Sequence, residues 1–177
     1  LANGAWPWEL PATSGLAPEI EEQIKANGWS FAMPAQFHLV PFAPDKDFPG
    51  VFAIASDSGR IEVRYGQLPM PADSNSAYSR GLFTGILFNL SATPSPESAD
   101  FPELTSRIEF NAEEGRIGVF PIKPSEGWKA AMLIQLHRQG SSDALILALF
   151  NEVDAVHLEW QAAFHSLRFA TPVGLPR

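Results

Sequence analysis

The chain has 177 residues, of which 45% are apolar, enough for one continuous core, so a single domain spanning 1–177 is expected. Twenty acidic residues against twelve basic ones leave a formal charge of -8, which repels phosphate backbones and anionic lipid and argues against a nucleic-acid partner. The absence of cysteine excludes disulfides, zinc–thiolate sites, iron–sulfur ligation and thiol catalysis, and no apolar run approaches the roughly eighteen residues that cross a bilayer.

Residues 1–28 read as an N-terminal arm and a short helix. Trp6, Pro7, Trp8 and Pro11 resist helix and suggest an arm whose indoles dock on the body. Pro18 then opens a helical pattern with Ile20 and Ile24 one turn apart, closed by Asn27-Gly28. Residues 29–170 form the expected core. From Trp29 the apolar period changes to two, through Phe31 and Met33, and a second extended run follows from Phe37 to Phe42. Val51–Ala55 and Ile61–Leu68 flank Asp57-Ser58-Gly59, the clearest hairpin signal in the chain.

After a loop at 69–76, Tyr78–Leu90 carries Leu82, Phe83, Ile86, Leu87 and Leu90 at helical spacing, which predicts a buried helix with Gly81 and Gly85 against the sheet. The Pro- and Ser-rich stretch 92–102 reads as a surface loop. Two hairpins are then expected: Ile108–Phe110 turning at Glu113-Glu114-Gly115 into Ile117–Ile122, and Ala130–His137 turning at 139–142 into Ala144–Phe150. The second pair is nearly continuous in apolar residues and belongs at the sheet centre, covered on both faces. Asp154 is the expected cap of a last amphipathic helix over 153–167, with Arg168-Phe169 as a final short strand and 171–177 as a tail.

These elements compose an α+β fold, a central, mainly antiparallel twisted sheet with helices on both faces. Their order, with the segments Gly28–Pro34, Arg60–Met70, Ile108–Gly115 and Trp160–Phe169, resembles the Mog1/PsbP-type α/β/α sandwich over roughly 29–170. The resemblance implies a largely non-enzymatic domain that serves as a protein-binding adaptor or an extrinsic subunit. It carries no catalytic signature onto any residue of this chain.

His38, His137, His157 and His165 lack any spacing that presents two imidazoles to one metal, so neither a metal nor another cofactor is expected. His157 falls on the apolar face of the last helix, and His165 drifts off it toward solvent. Ser141, Ser142, His137 and Asp143 cluster at one hairpin tip and hold the atoms of a nucleophile–base chain. Yet these are ordinary turn residues, and a tip has no walls to exclude water. Glu21-Glu22 and Glu113-Glu114 read as solvated pairs.

The leading expectation is therefore a non-catalytic domain that binds another protein through one sheet edge or loop cluster, centred on the acidic 92–103 loop and the neighbouring turns. Trp128, Glu126, Glu103, Glu113 and Glu114 are the candidate binding residues, with Trp128 singled out because Glu126-Gly127-Trp128-Lys129 leads into a strand mouth. An inhibitor or immunity protein for a secreted toxin is a concrete version of this reading. Two alternatives are a carrier that holds a small apolar ligand between the sheet and helix 78–90, and a hydrolase built on His137 or His38. The chain begins at Leu1 rather than methionine, which fits a trimmed sequence or a removed signal peptide equally well; compartment stays open, with a slight lean toward export.

Overall fold

A computed structural model describes residues 15–42, 46–124, 127–152 and 157–170. The expected Trp6–Trp8 arm, Glu126, the Asp154 cap and the 171–177 tail lie outside the described residues. Along the chain come helix α1 (Pro18–Ala26), strands β1 (Trp29–Phe31), β2 (Phe37–Val40), β3 (Gly50–Ser56) and β4 (Ile61–Leu68), and helix α2 (Ser76–Leu90). They are followed by β5 (Ser98–Asp100), α3 (Glu103–Phe110), β6 (Glu114–Pro121), β7 (Ala130–His137), β8 (Asp143–Phe150), α4 (His157–Phe164) and β9 (Leu167–Phe169).

Seven strands form one open sheet in the order β2-β3-β4-β8-β7-β6-β5, with every neighbouring pair antiparallel. The fold is α+β, as expected. All eight residues of β8 are buried, which is why its run of apolar side chains stands at the centre of the sheet. The period of two divides the core. Leu133 and Leu147 face α2 and cluster with Phe83, Leu87 and Leu90, while Ile134 and Ile146 face the other way and cluster with Trp29, Phe110, Ala163 and Phe169. At roughly 2–3 kcal/mol for each fully buried large apolar side chain, these two layers dominate the stability of the chain.

The β3–β4 hairpin and the β7–β8 hairpin stand where the sequence puts them. Four details differ. Trp29–Phe31 does not open the main sheet; it pairs with β9 in a separate two-stranded ribbon, Trp29 opposite Phe169. The expected strand Ile108–Phe110 is instead the last turn of α3. Three alternating residues are too few to distinguish the two periods, and here Ser106 and Phe110, one helical turn apart, are the buried pair. Asn111 ends that helix in the left-handed region at φ 52°, so β6 takes β5 and β7 as partners. Part of the 92–102 loop becomes the edge strand β5. In the last helix, Ser166 donates to Ala163 O at 2.6 Å and Leu167 already pairs with Phe31, so α4 stops at Phe164.

The role expected for Gly81 and Gly85 is corrected as well. α2 buries Ser79, Phe83, Leu87 and Leu90, one stripe at intervals of four, four and three, while both glycines face away from the sheet. A Cβ built on Gly81 meets nothing within 4 Å. Gly81→Ala is therefore expected to raise stability by about 0.5–1 kcal/mol, because alanine restricts the unfolded backbone without crowding the fold. Thermal denaturation followed by circular dichroism measures this as an upward shift of Tm.

Candidate functional site

Along the α2-facing side of the sheet, Leu133 of β7 is followed at period two by Gln135 and His137, and Leu147 and Leu145 of β8 lead back to Asp143. Apolar packing thus gives way to polar groups beneath the first turns of α2. Asp143 is fully buried. Its Oδ1 accepts from His137 Nδ1 at 2.6 Å, and its Oδ2 accepts from Ser79 Oγ at 2.6 Å and Gln135 Nε2 at 2.8 Å. Three donors on one carboxylate offset the cost of removing its charge from water.

Arg116 of β6 extends the network toward the sheet edge. Its guanidinium donates to Gln135 Oε1 at 3.2 Å and to Ser76 Oγ at 3.3 Å, pairs with Glu114, and has Nε 3.3 Å from Asp100 of β5. Burial lowers its pKa, with the Arg80 charge acting in the same sense and Glu114, Asp100 and Asp143 opposing. Ser76 in turn donates to Glu114 Oε2 at 2.6 Å. One connected set of side chains therefore links the N-terminal turns of α2 with β5, β6, β7 and β8.

The hydrogen bond to Asp143 raises the pKa of His137; burial opposes it, and the charges of Asp143, Glu114 and Glu113 reinforce it. A raised folded-state value means that the folded chain holds a proton which the unfolded chain releases near pH 6.5. The pair's stabilisation is complete below that pH and is lost as pH rises through the folded value. His137→Gln is expected to flatten the decline in stability above about pH 6.5. Urea denaturation of both proteins across the neutral and mildly alkaline range measures the difference in slope.

This burial corrects the reading of His137 and Asp143 as groups at a tip without walls: both are buried, with Asp143 bonded to Ser79 of α2, while Gln139 and Gly140 at the tip are exposed. The arrangement nevertheless does not align a nucleophile. Ser79, which the sequence did not single out, donates to Asp143 and not to the imidazole, and Ser142 Oγ accepts from Gln67 Nε2 at 3.1 Å. In a Ser–His pair the hydroxyl bonds the imidazole that takes its proton; here Ser79 Oγ and His137 Nδ1 each bond Asp143 and not each other. The signal that would have found the network is a pair of polar residues, Gln135 and His137, on one face of an otherwise apolar strand.

His38 bonds Asp57 at 2.8 Å on the surface, and half-buried His165 bonds Glu109 at 2.8 Å. Among the described residues no three histidine or carboxylate side chains are grouped to hold a metal ion.

Beyond Arg116, at the β5 edge, lies a cavity of about 500 Å³. Phe101, Ser106 and Gly115 line it, together with Glu103, Glu113 and Glu114, so the structure brings together three of the residues chosen from the sequence. Glu113 and Glu114 are not the equivalent solvated pair expected: Glu113 is exposed, whereas Glu114 is half-buried on Arg116 and Ser76. Arg80 bridges from α2 to Asp100 with hydrogen bonds of 3.0–3.1 Å, and Arg107 pairs with Glu103 at 2.8 Å along α3.

Trp128 is separated from this group. It is half-buried beyond the other end of β6, against the α2-side core, beside a surface depression shared with Asn151 and Glu152. Arg80, Asp100 and Ser106 were missed by the sequence reading, since each acquires a role only when α2, β5 and α3 meet. No family model matches the chain, and no curated protein matches it.

Proposed function

We propose that the chain is a non-catalytic protein-binding domain which takes up an extended, basic segment of another protein along the β5 edge. The observation that carries this reading is the state of β5 itself. Its three residues are all exposed, and within the described sheet it has a partner on one side only. Phe101 N–H donates to Gly115 O, so by alternation the backbone of Ser98 and Asp100 points outward, free to extend the ladder. Strand addition gives affinity through main-chain bonds and specificity through side-chain pockets, and the cavity lies directly beside this edge.

Charge supports the choice of a basic segment: the whole chain carries -8, and around the cavity Asp100, Glu103, Glu113 and Glu114 outnumber Arg80 and Arg107. An inhibitor or immunity protein for a secreted toxin is one concrete form of such a domain. The Mog1/PsbP-like sandwich is the fold family we propose for it, on the element order and on the helices that cover both sheet faces. The carrier alternative has less to support it: Phe83, Leu87 and Leu90 fill the space between α2 and the sheet.

Ser98→Pro removes an outward-facing N–H and leaves the β5–β6 hydrogen bonds in place. Peptides selected from a displayed random library on the wild-type chain are expected to be extended and basic, and to bind the proline variant about tenfold more weakly. Selected peptides that bind both proteins equally would overturn the edge reading. So would a library from which nothing is enriched.

A further inference from the structure

Ser106, which lines the β5-side cavity, has a buried hydroxyl with no hydrogen-bond partner. It is 0% exposed, and both it and Gly115 line the cavity. A Cβ built on Gly115 would lie 3.1 Å from Ser106 Oγ and would overlap the Phe101 ring, so the glycine lets that ring pack against β6 beside the hydroxyl at the cavity wall. An unmet buried hydroxyl of this kind carries a desolvation cost that a bound polar group would relieve.

The charges beside it indicate which group. Arg80 is held by Asp100, Arg107 by Glu103 and Arg116 by Glu114. Among the described residues Glu113 is the lining carboxylate left without a guanidinium; it accepts the backbone N–H of Gln139 at 3.3 Å. The cavity therefore presents one unmatched negative charge, one hydroxyl acceptor and the ring of Phe101. Those three features match a guanidinium, which is planar, stacks on aromatic faces and donates several hydrogen bonds from one rigid fork.

We infer that this cavity is a socket for an arginine side chain of the protein segment docked on β5, with Glu113 taking its charge, Ser106 accepting one N–H and Phe101 covering its plane. The inference rests on the edge-binding reading and names the side chain that the edge selects. Free guanidinium compounds share the chemistry, but only a peptide reaches the edge and the socket together.

The test uses the blocked tripeptide N-acetyl-Val-Arg-Val-amide, its citrulline analogue and agmatine, titrated into the isotope-labelled chain. The arginine peptide is expected to shift the amide signals of Ser106 and Gly115 saturably, and the neutral citrulline peptide to bind about tenfold more weakly or not at all. Glu113→Gln and Ser106→Ala are each expected to weaken the arginine peptide by about threefold or more, with unchanged far-ultraviolet circular dichroism showing that both variants fold.

Equal binding of the citrulline peptide overturns the socket, and so does the lack of any saturable shift. Agmatine binding as tightly as the peptide overturns the assignment to a partner protein. If library peptides are sensitive to Ser98→Pro yet share no arginine, the socket fails while the edge reading stands.

Discussion

Asp143→Ala is expected to destabilise the chain by about 3–5 kcal/mol, the cost of leaving a buried charge and its neighbours without their partner. Asp143 is fully buried and accepts from His137, Ser79 and Gln135. Alanine strands all three donors in a region that α2 closes from water. Asp143→Asn keeps the shape and one acceptor but removes the charge, so its expected cost is smaller, about 1–3 kcal/mol. It should also shrink the His137-linked loss of stability at alkaline pH, because the imidazolium loses its hydrogen-bonded anion and keeps only the charges of Glu114 and Glu113 to favour it. Guanidinium denaturation at pH 6 and at pH 8 measures both effects. A loss below about 1 kcal/mol for Asp143→Ala would show that the network is not a closed, fully desolvated unit.

Phe110→Ala carries the second large effect. The ring is fully buried, stacks on Phe101 at 5.8 Å between centroids and meets Phe164 edge-on at 5.1 Å. It anchors the end of α3 to the core shared with Ala163 and Phe169. Truncation to alanine is expected to cost about 3–5 kcal/mol, as for other fully buried aromatic rings. Phe110→Leu, which keeps most of the volume, is expected to cost less, about 1–2 kcal/mol. The consequence reaches function, because Phe101 loses its stacking partner beside Gly115. Under conditions where the variant remains folded, Phe110→Ala should bind the arginine peptide more weakly than Phe110→Leu does. Denaturant midpoints and the peptide titration, run on the same preparations, separate the loss of stability from the loss of the socket.

The β5 edge and the polar network under α2 share a physical link in Arg116, which lies against Asp100 on one side and bonds Gln135 on the other. Burial raises the Tyr65 phenol and lowers Arg116, in both cases against the charged form, but at Tyr65 the partner is a single hydroxyl, Ser166 at 2.6 Å, and the group stays neutral. A buried charge needs several partners, and the N-terminal turns of α2 with three strand ends supply them.

Local, repeated signals determined much of the fold from the sequence alone. The unbroken apolar run of Leu145–Phe150 placed β8 at the sheet centre, Asp57-Ser58-Gly59 defined the β3–β4 turn, and Pro18 with Asn27-Gly28 bounded α1, because each rests on periodicity or backbone preference over a few adjacent residues. Composition likewise ruled out thiol chemistry and disfavoured nucleic acid.

Only the tertiary structure decided the rest. Ile108–Phe110 became helix because Ser106 and Phe110 are buried together, a fact of packing that three alternating residues do not encode. Ser98–Asp100 became an edge strand because β6 offered it a ladder. Glu103, Glu113, Ser106 and Phe101 converge on one cavity, while Trp128 stands apart, because β6 carries the chain from one end of the sheet to the other between them. Asp143, a turn residue by its neighbours in sequence, is a buried anion by its neighbours in space. Burial depends on what α2 covers, and that contact joins residues 64 positions apart.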